Sequence, residues 1–183
     1  MSKHIHPLEK LVEVITYKGV EFEVVERPDV LWVGCIAYAD NNIDPAFADD
    51  DMTLLKRYEE LVHIPKQDRI NPDWSASISI NYTRKDKPSG IMFAQETFSE
   101  NQDKHYDMLT QPNGLWLRLC NNKNASTLLL GKDNSASYEY FSEMQVVAKE
   151  NGYMQNPNVH IQVEYTYEND FATNYAYIPI CRN

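Results

Sequence analysis

The sequence predicts an α+β domain in which two β-α-β-β units form one curved antiparallel sheet, with two helices on one face and a central cleft on the other. Three observations carry this expectation. Several segments alternate apolar and polar residues with a period of two, two others space apolar residues three and four apart, and the order strand, helix, strand, strand recurs in both halves. The 183 residues fit one domain. Residues 1–19 read as an N-terminal extension and 20–183 as the domain, with repeats over about 20–98 and 113–183.

The first stretch is ambiguous. VEVITY-KG-VEFEVV reads as a hairpin around Lys18-Gly19, or residues from His6 to Val14 as a short helix or linker. Val20 to Asp40 is rich in β-branched and aromatic residues and is broken by Pro28-Asp29, so it reads as extended chain. From Ala46 to Ile64, Phe47, Leu54, Leu55, Tyr58, Leu61 and Val62 keep helical spacing, with acids early and Pro65 just beyond the end. In WSASISINY, Ala76, Ile78, Ile80 and Tyr82 fall on one face and Ser75, Ser77, Ser79 and Asn81 on the other. GIMFAQETF follows as a second strand after the turn-rich KDKPSG.

Ser99 to Asn113 reads as a long polar loop, and LWLRLC as the strand that opens the second unit. The stretch Gly131 to Ser137 offers N-cap side chains, after which Tyr140, Phe141, Met144, Val147 and Ala148 keep helical spacing until Gly152 caps the helix. NVHIQVEYTYE and TNYAYIPI close the chain as two strands separated by Asn169-Asp170.

Composition excludes several function classes. The net charge is −10 and no Lys/Arg-rich block occurs, which argues against direct nucleic-acid binding. Cys35, Cys120 and Cys181 are odd in number and far apart, so reduced thiols are expected and neither a disulfide framework nor a structural zinc site. No signal-peptide core and no membrane-length apolar run is present, which points to the cytoplasm and away from a membrane. G-x-S-x-G, H-E-x-x-H and G-x-G-x-x-G are absent. His4-x-His6 reads as incidental in a flexible terminus, and no metal or other cofactor is expected.

What remains is a set of aromatic and polar side chains distributed by strand alternation. In HIQVEYTYE, Ile161, Val163, Tyr165 and Tyr167 share one side and His160, Gln162, Glu164 and Thr166 the other. Assigning the apolar set to the helices sends Gln162 and Glu164 to the opposite face. Ala176, Ile178 and Ile180 also suit the helices, so Tyr175 and Tyr177 are expected beside Glu164. The leucines of LWLRLC likewise direct Trp116 and Arg118 outward. The expected site is therefore Glu164, Gln162, Arg118, Trp116, Tyr175 and Tyr177, with Trp74 and Trp32 at the margin. Aromatic walls around one carboxylate suit a hydrophobic cationic or neutral small molecule, with cation–π attraction of roughly 0.5–2 kcal/mol per ring. The plainer alternative is an exposed carboxylate paired with Arg118.

The succession VEFEVVERPDVLWVGCIAYA, YDMLTQPNGLWLRL, SASYEYFSEMQVVAKENGY, IQVEYTYEND and NYAYIPI resembles the GyrI-like small-molecule-binding family, the AraC-type effector-binding domain of bacterial transcription activators. The likeness covers roughly residues 20 to 181. It rests on Val33-Gly34 in WVGCI, the turn Pro112-Asn113-Gly114, Val163-Glu164-Tyr165 and Ile178-Pro179-Ile180. It implies a duplicated β-α-β-β fold, binding of drugs or effectors, and a strand glutamate in the central cleft, here Glu164. No helix-turn-helix precedes the domain, so a stand-alone member is expected, serving drug sensing or sequestration, with a separate DNA-binding protein or other protein partner left open. Two alternatives remain: a small hydrolase of strained electrophilic toxins, with Glu164 as general base or acid aided by Tyr175 or Tyr177, and a gyrase-inhibitor-like protein-binding module. No nucleophile–base pair accompanies the aromatic set, which favours binding over catalysis.

Overall fold

The computed structural model describes residues 3–38, 59, 68–132, 139–167 and 170–183. Strand β1 (Lys10–Tyr17) and β2 (Val20–Arg27) pair as a hairpin. Lys18 and Gly19 turn it with φ of 51° and 76°, the left-handed pair that matches strand twist. Of the two readings of this stretch, the hairpin is therefore the one adopted. Pro28-Asp29 leads into β3 (Val30–Tyr38), and β4 (Trp74–Ile80) and β5 (Gly90–Thr97) follow. The helix expected between Ala46 and Ile64 lies outside the described residues.

The supposed loop from Ser99 to Asn113 contains a further strand, β6 (Asp107–Gln111), which pairs with β3. Its five residues carry too few apolar positions to show alternation, and the ladder supplies what propensity does not. After β7 (Gly114–Asn121) come α1 (Lys123–Leu130) and α2 (Glu139–Glu150), then β8 (Tyr153–Gln155), β9 (Ile161–Tyr167) and β10 (Asp170–Arg182). Helix α1 was not expected. Asn122 caps it by accepting the Ala125 N–H at 3.0 Å, and left-handed Gly131 ends it. Among the described residues no helix is long and apolar enough to cross a membrane. Cys35, Cys120 and Cys181 form no disulfide bond.

The strands form one antiparallel sheet, curved and unclosed, in the order β1-β2-β7-β10-β9-β4-β5-β3-β6, with β8 also on β10. Two copies of one arrangement meet at the β4–β9 ladder: β3-β5-β4 on one side and β7-β10-β9 on the other. Each copy takes its outer flank from the other half, because β2 pairs with β7 and β6 with β3. The two crossing links touch where Asn113 donates its backbone N–H to Asp29 Oδ1 at 2.7 Å. Trp32 and Trp116 hold matching places in the copies, two residues into β3 and β7.

One sheet face packs under the helices: Phe22, Val24, Leu117, Leu119, Ala176, Ile178 and Ile180 join Tyr140, Met144 and Val147 of α2 in one cluster. The opposite face gathers a second cluster that includes all three tryptophans. Between β3 and β5 the backbones approach closely at Gly34, where a Cβ would stand 2.0 Å from the Phe93 carbonyl oxygen. Gly34→Ala should therefore cost about 1–3 kcal/mol or more, read as a lowered midpoint in urea unfolding.

Candidate functional site

The aromatic residues singled out in the sequence do share one face. Trp32, Trp74, Trp116, Tyr175 and Tyr177 belong to the cluster opposite the helices, as does Tyr165. They line no open groove, however; Trp32, Trp116 and Tyr177 are 0–1% exposed. Arg118 reaches the same face and is buried there.

These rings surround an ion network that sequence reading missed. Arg27, at the end of β2, lies over the Tyr177 ring at 4.4 Å and donates to Glu96 Oε1 at 3.0 Å and to the Tyr165 hydroxyl at 2.6 Å. Its Nε faces Glu9 Oε2 at 3.1 Å. Tyr165 in turn donates to Glu96 in a short contact. Arg118 binds Glu9, and its Nε donates to Glu23 Oε2 at 2.7 Å, while Tyr177 donates to Glu9 at 3.2 Å. Burial by itself would raise the Glu96 carboxyl, but the His4 hydrogen bond and the His4 and Arg27 charges hold it at about 2. The acids of this network are thus Glu96, Glu9 and, at its edge, Glu23. Their signal in the sequence was slight: Arg27 is a charge at the end of a strand whose neighbours are buried.

Nor is the N-terminus a loose tail with incidental histidines. His4 and His6 are 1% and 5% exposed, and His6 Nδ1 accepts the Leu8 N–H at 3.2 Å. No group of three or more metal-ligating side chains gathers among the described residues.

Glu164 and Gln162 are placed on the other face. The register pairs Glu164 with Ala176 and Tyr165 with Tyr175, so Glu164 shares the helix-bearing face and Tyr175 and Tyr177 do not. The expected neighbourhood of Glu164 with Tyr175, Tyr177 and the tryptophans is corrected accordingly, and neither tyrosine can donate a hydrogen bond to it. Arg118, bound to Glu9 and Glu23 on the far face, is not its partner either.

On its own face Glu164 occupies a distinctive place. Ser77 and Glu164 form the middle pair of the β4–β9 ladder, where the two copies meet. Small side chains flank the carboxylate, Ser77 on β4 and Ala176 on β10, with Phe93 and Leu119 one strand further out. Along the two central strands this face presents Ser75, Ser77, Ser79, Gln162, Glu164 and Thr166, all half-buried. A helix packed directly on that stripe would bury polar groups without return, so its composition suits a polar groove in the sheet's centre. Among the described residues the Glu164 carboxylate has no ion pair or hydrogen bond, and burial alone pushes it up to about 7.

The chain shares its overall course with two solved structures. SAV2435 bound to tetraphenylphosphonium matches 87% of this chain and 93% of its own, at a TM-score of 0.61 and 10% identity. A Staphylococcus aureus MU50 protein assigned to bacterial transcription regulation matches 88% and 99%, at a TM-score of 0.56 and 13% identity. The chain has the GyrI-like fold. No protein-family model and no curated protein matches the sequence. The likeness to these structures lies in topology, with few side chains in common.

Proposed function

We propose that this GyrI-like domain binds small hydrophobic molecules, cationic or neutral and aromatic, in the groove over β4 and β9, with Glu164 as the charge that meets them. The observation that carries this reading is a half-buried carboxylate at the junction of the copies, without a counter-charge among the described residues. A protein gains nothing in stability from such a group, since burying it penalises the charged form. A bound cation supplies the missing partner. That a protein of the same fold is seen with tetraphenylphosphonium supports a lipophilic cation as the first probe. Ser75, Ser77 and Thr166 offer hydroxyls beside the carboxylate, and the half-buried Phe93 an apolar wall.

Titration calorimetry with tetraphenylphosphonium tests this. A cation binds the ionised carboxylate, and ionisation of Glu164 is half complete near pH 7. Affinity should therefore rise by up to about tenfold per pH unit from pH 5.5 towards 7 and level off above it. Glu164→Gln should bind more weakly and with no such slope. Equal, pH-independent affinity in both proteins would rule out Glu164 as the sensing charge.

A further inference from the structure

The segment before β1 crosses the aromatic face in an unusual manner: its apolar side chains look outward and its imidazoles inward. Ile5 and Leu8 are 47% and 66% exposed, whereas His4 and His6 are buried. A strap held by the hydrophobic effect would show the reverse. What holds His4 is specific. Its ring stacks on Tyr165 with centroids 3.9 Å apart, meets the Trp74 ring edge-on at 5.4 Å, and places Nε2 3.2 Å from Glu96 Oε2. A flat ring with an N–H directed at a carboxylate, stacked on one electron-rich ring and at an angle to a second, fills a box whose chemistry suits aromatic cations.

Beyond His4 the segment is held mainly at its C-terminal end. Glu9 binds Arg27 and Arg118 and accepts from the Tyr177 hydroxyl at 3.2 Å, whereas nearer the start Lys3 reaches Glu23 at 2.8 Å and Asn71 donates to the Ile5 carbonyl at 3.4 Å. Without His4 the walls of the box keep their shape, because Tyr165 and Glu96 remain bonded to Arg27 and to each other.

We propose that the box formed by Trp74, Tyr165 and Glu96 is a second binding site, for flat aromatic cations, and that the chain's own His4, carried on the segment before β1, occupies it as an intramolecular competitor. It lies on the opposite sheet face from Glu164 and does not depend on that residue. A tethered competitor acts at an effective concentration in the millimolar range, so an outside ligand binds weakly until the tethered group is removed.

The test uses N-methylpyridinium, a flat cation of fixed charge that quenches indole emission. All three tryptophans lie on this face, so a ligand in the box quenches them whereas one at Glu164 does not. In the full-length His4→Ala protein quenching should saturate, with an apparent affinity at least tenfold above that of the unaltered chain. It should be unchanged when Glu164→Gln is added. In the unaltered chain, amide exchange across residues 4–9 should quicken as N-methylpyridinium is raised. Quenching of His4→Ala that rises without saturating, or that is lost with Glu164→Gln, would overturn the proposal. Should His4→Ala fail to fold, exchange at residues 4–9 decides: unaltered by the probe, it overturns the competitor.

Discussion

Replacing Arg27 with Met lowers stability by about 3–5 kcal/mol at neutral pH, and by less in acid. The guanidinium is fully buried and stands between two carboxylates, Glu96 and Glu9, with Tyr165 and Tyr177 around it. Met fills much of the volume but leaves both acids short of positive charge in an apolar setting. Glu96 sets the pH dependence. Its folded pKa of about 2 lies below its ordinary value of 4.5, so its contribution is full above 4.5 and fades as pH falls towards 2. Without Arg27 that folded value rises, and the deficit of the variant shrinks on acidification because the orphaned acid takes up a proton. Urea unfolding of both proteins at pH 7 and pH 4 measures it. A loss that is equal at the two values would mean that Arg27 acts through packing alone.

The second substitution works in the opposite direction. Glu164→Gln should leave stability nearly unchanged at pH 4.5 and raise it by up to about 3 kcal/mol above pH 8. The folded pKa near 7 exceeds the ordinary 4.5, so the folded state holds this proton more tightly than the unfolded chain. The stability linked to it is complete below pH 4.5 and is lost as pH rises through 7. Gln keeps the shape and the hydrogen-bonding capacity but cannot ionise, and escapes that loss. Paired denaturant curves at pH 5 and pH 8 check the sign; a difference independent of pH would show that Glu164 is not desolvated. Gain of stability with loss of cation binding is the mark of a residue kept for its site.

The same residue shows how far the sequence could be read. Alternation correctly grouped Tyr175 with Tyr177, Trp116 with Arg118, and Glu164 with Gln162, because a period of two is set within each strand. Which groups share a face depends on the register between strands. Asp170 pairs with Tyr167, yet Asn174 pairs with Thr166, so β10 carries extra residues against β9 just after the turn. Continuing the first pairing would have set Thr173 opposite Glu164 and placed Tyr175 and Tyr177 beside it. The irregularity is odd in number, and every side chain beyond it changes face. No local signal marks it, since 171–173 read as an ordinary strand start. The core under α2, by contrast, was legible residue by residue, because Tyr140, Met144 and Val147 and the leucines of β7 meet through unbroken periods. His4 was beyond reach for a different reason: the carboxylate that gives it meaning lies 92 positions away.

The exchange of β2 and β6 between the two copies governs the order in which this protein can come to exist. As the chain leaves the ribosome, β2 has no partner on its open side until β7 has been made; Glu23 and the Arg118 it binds are 95 residues apart. The first copy can close its flank with β6 only when the segment that begins the second is already emerging. Neither half completes its own sheet flank, and the chain should fold late and all at once, in the millisecond-to-second regime of sheets dominated by distant pairings.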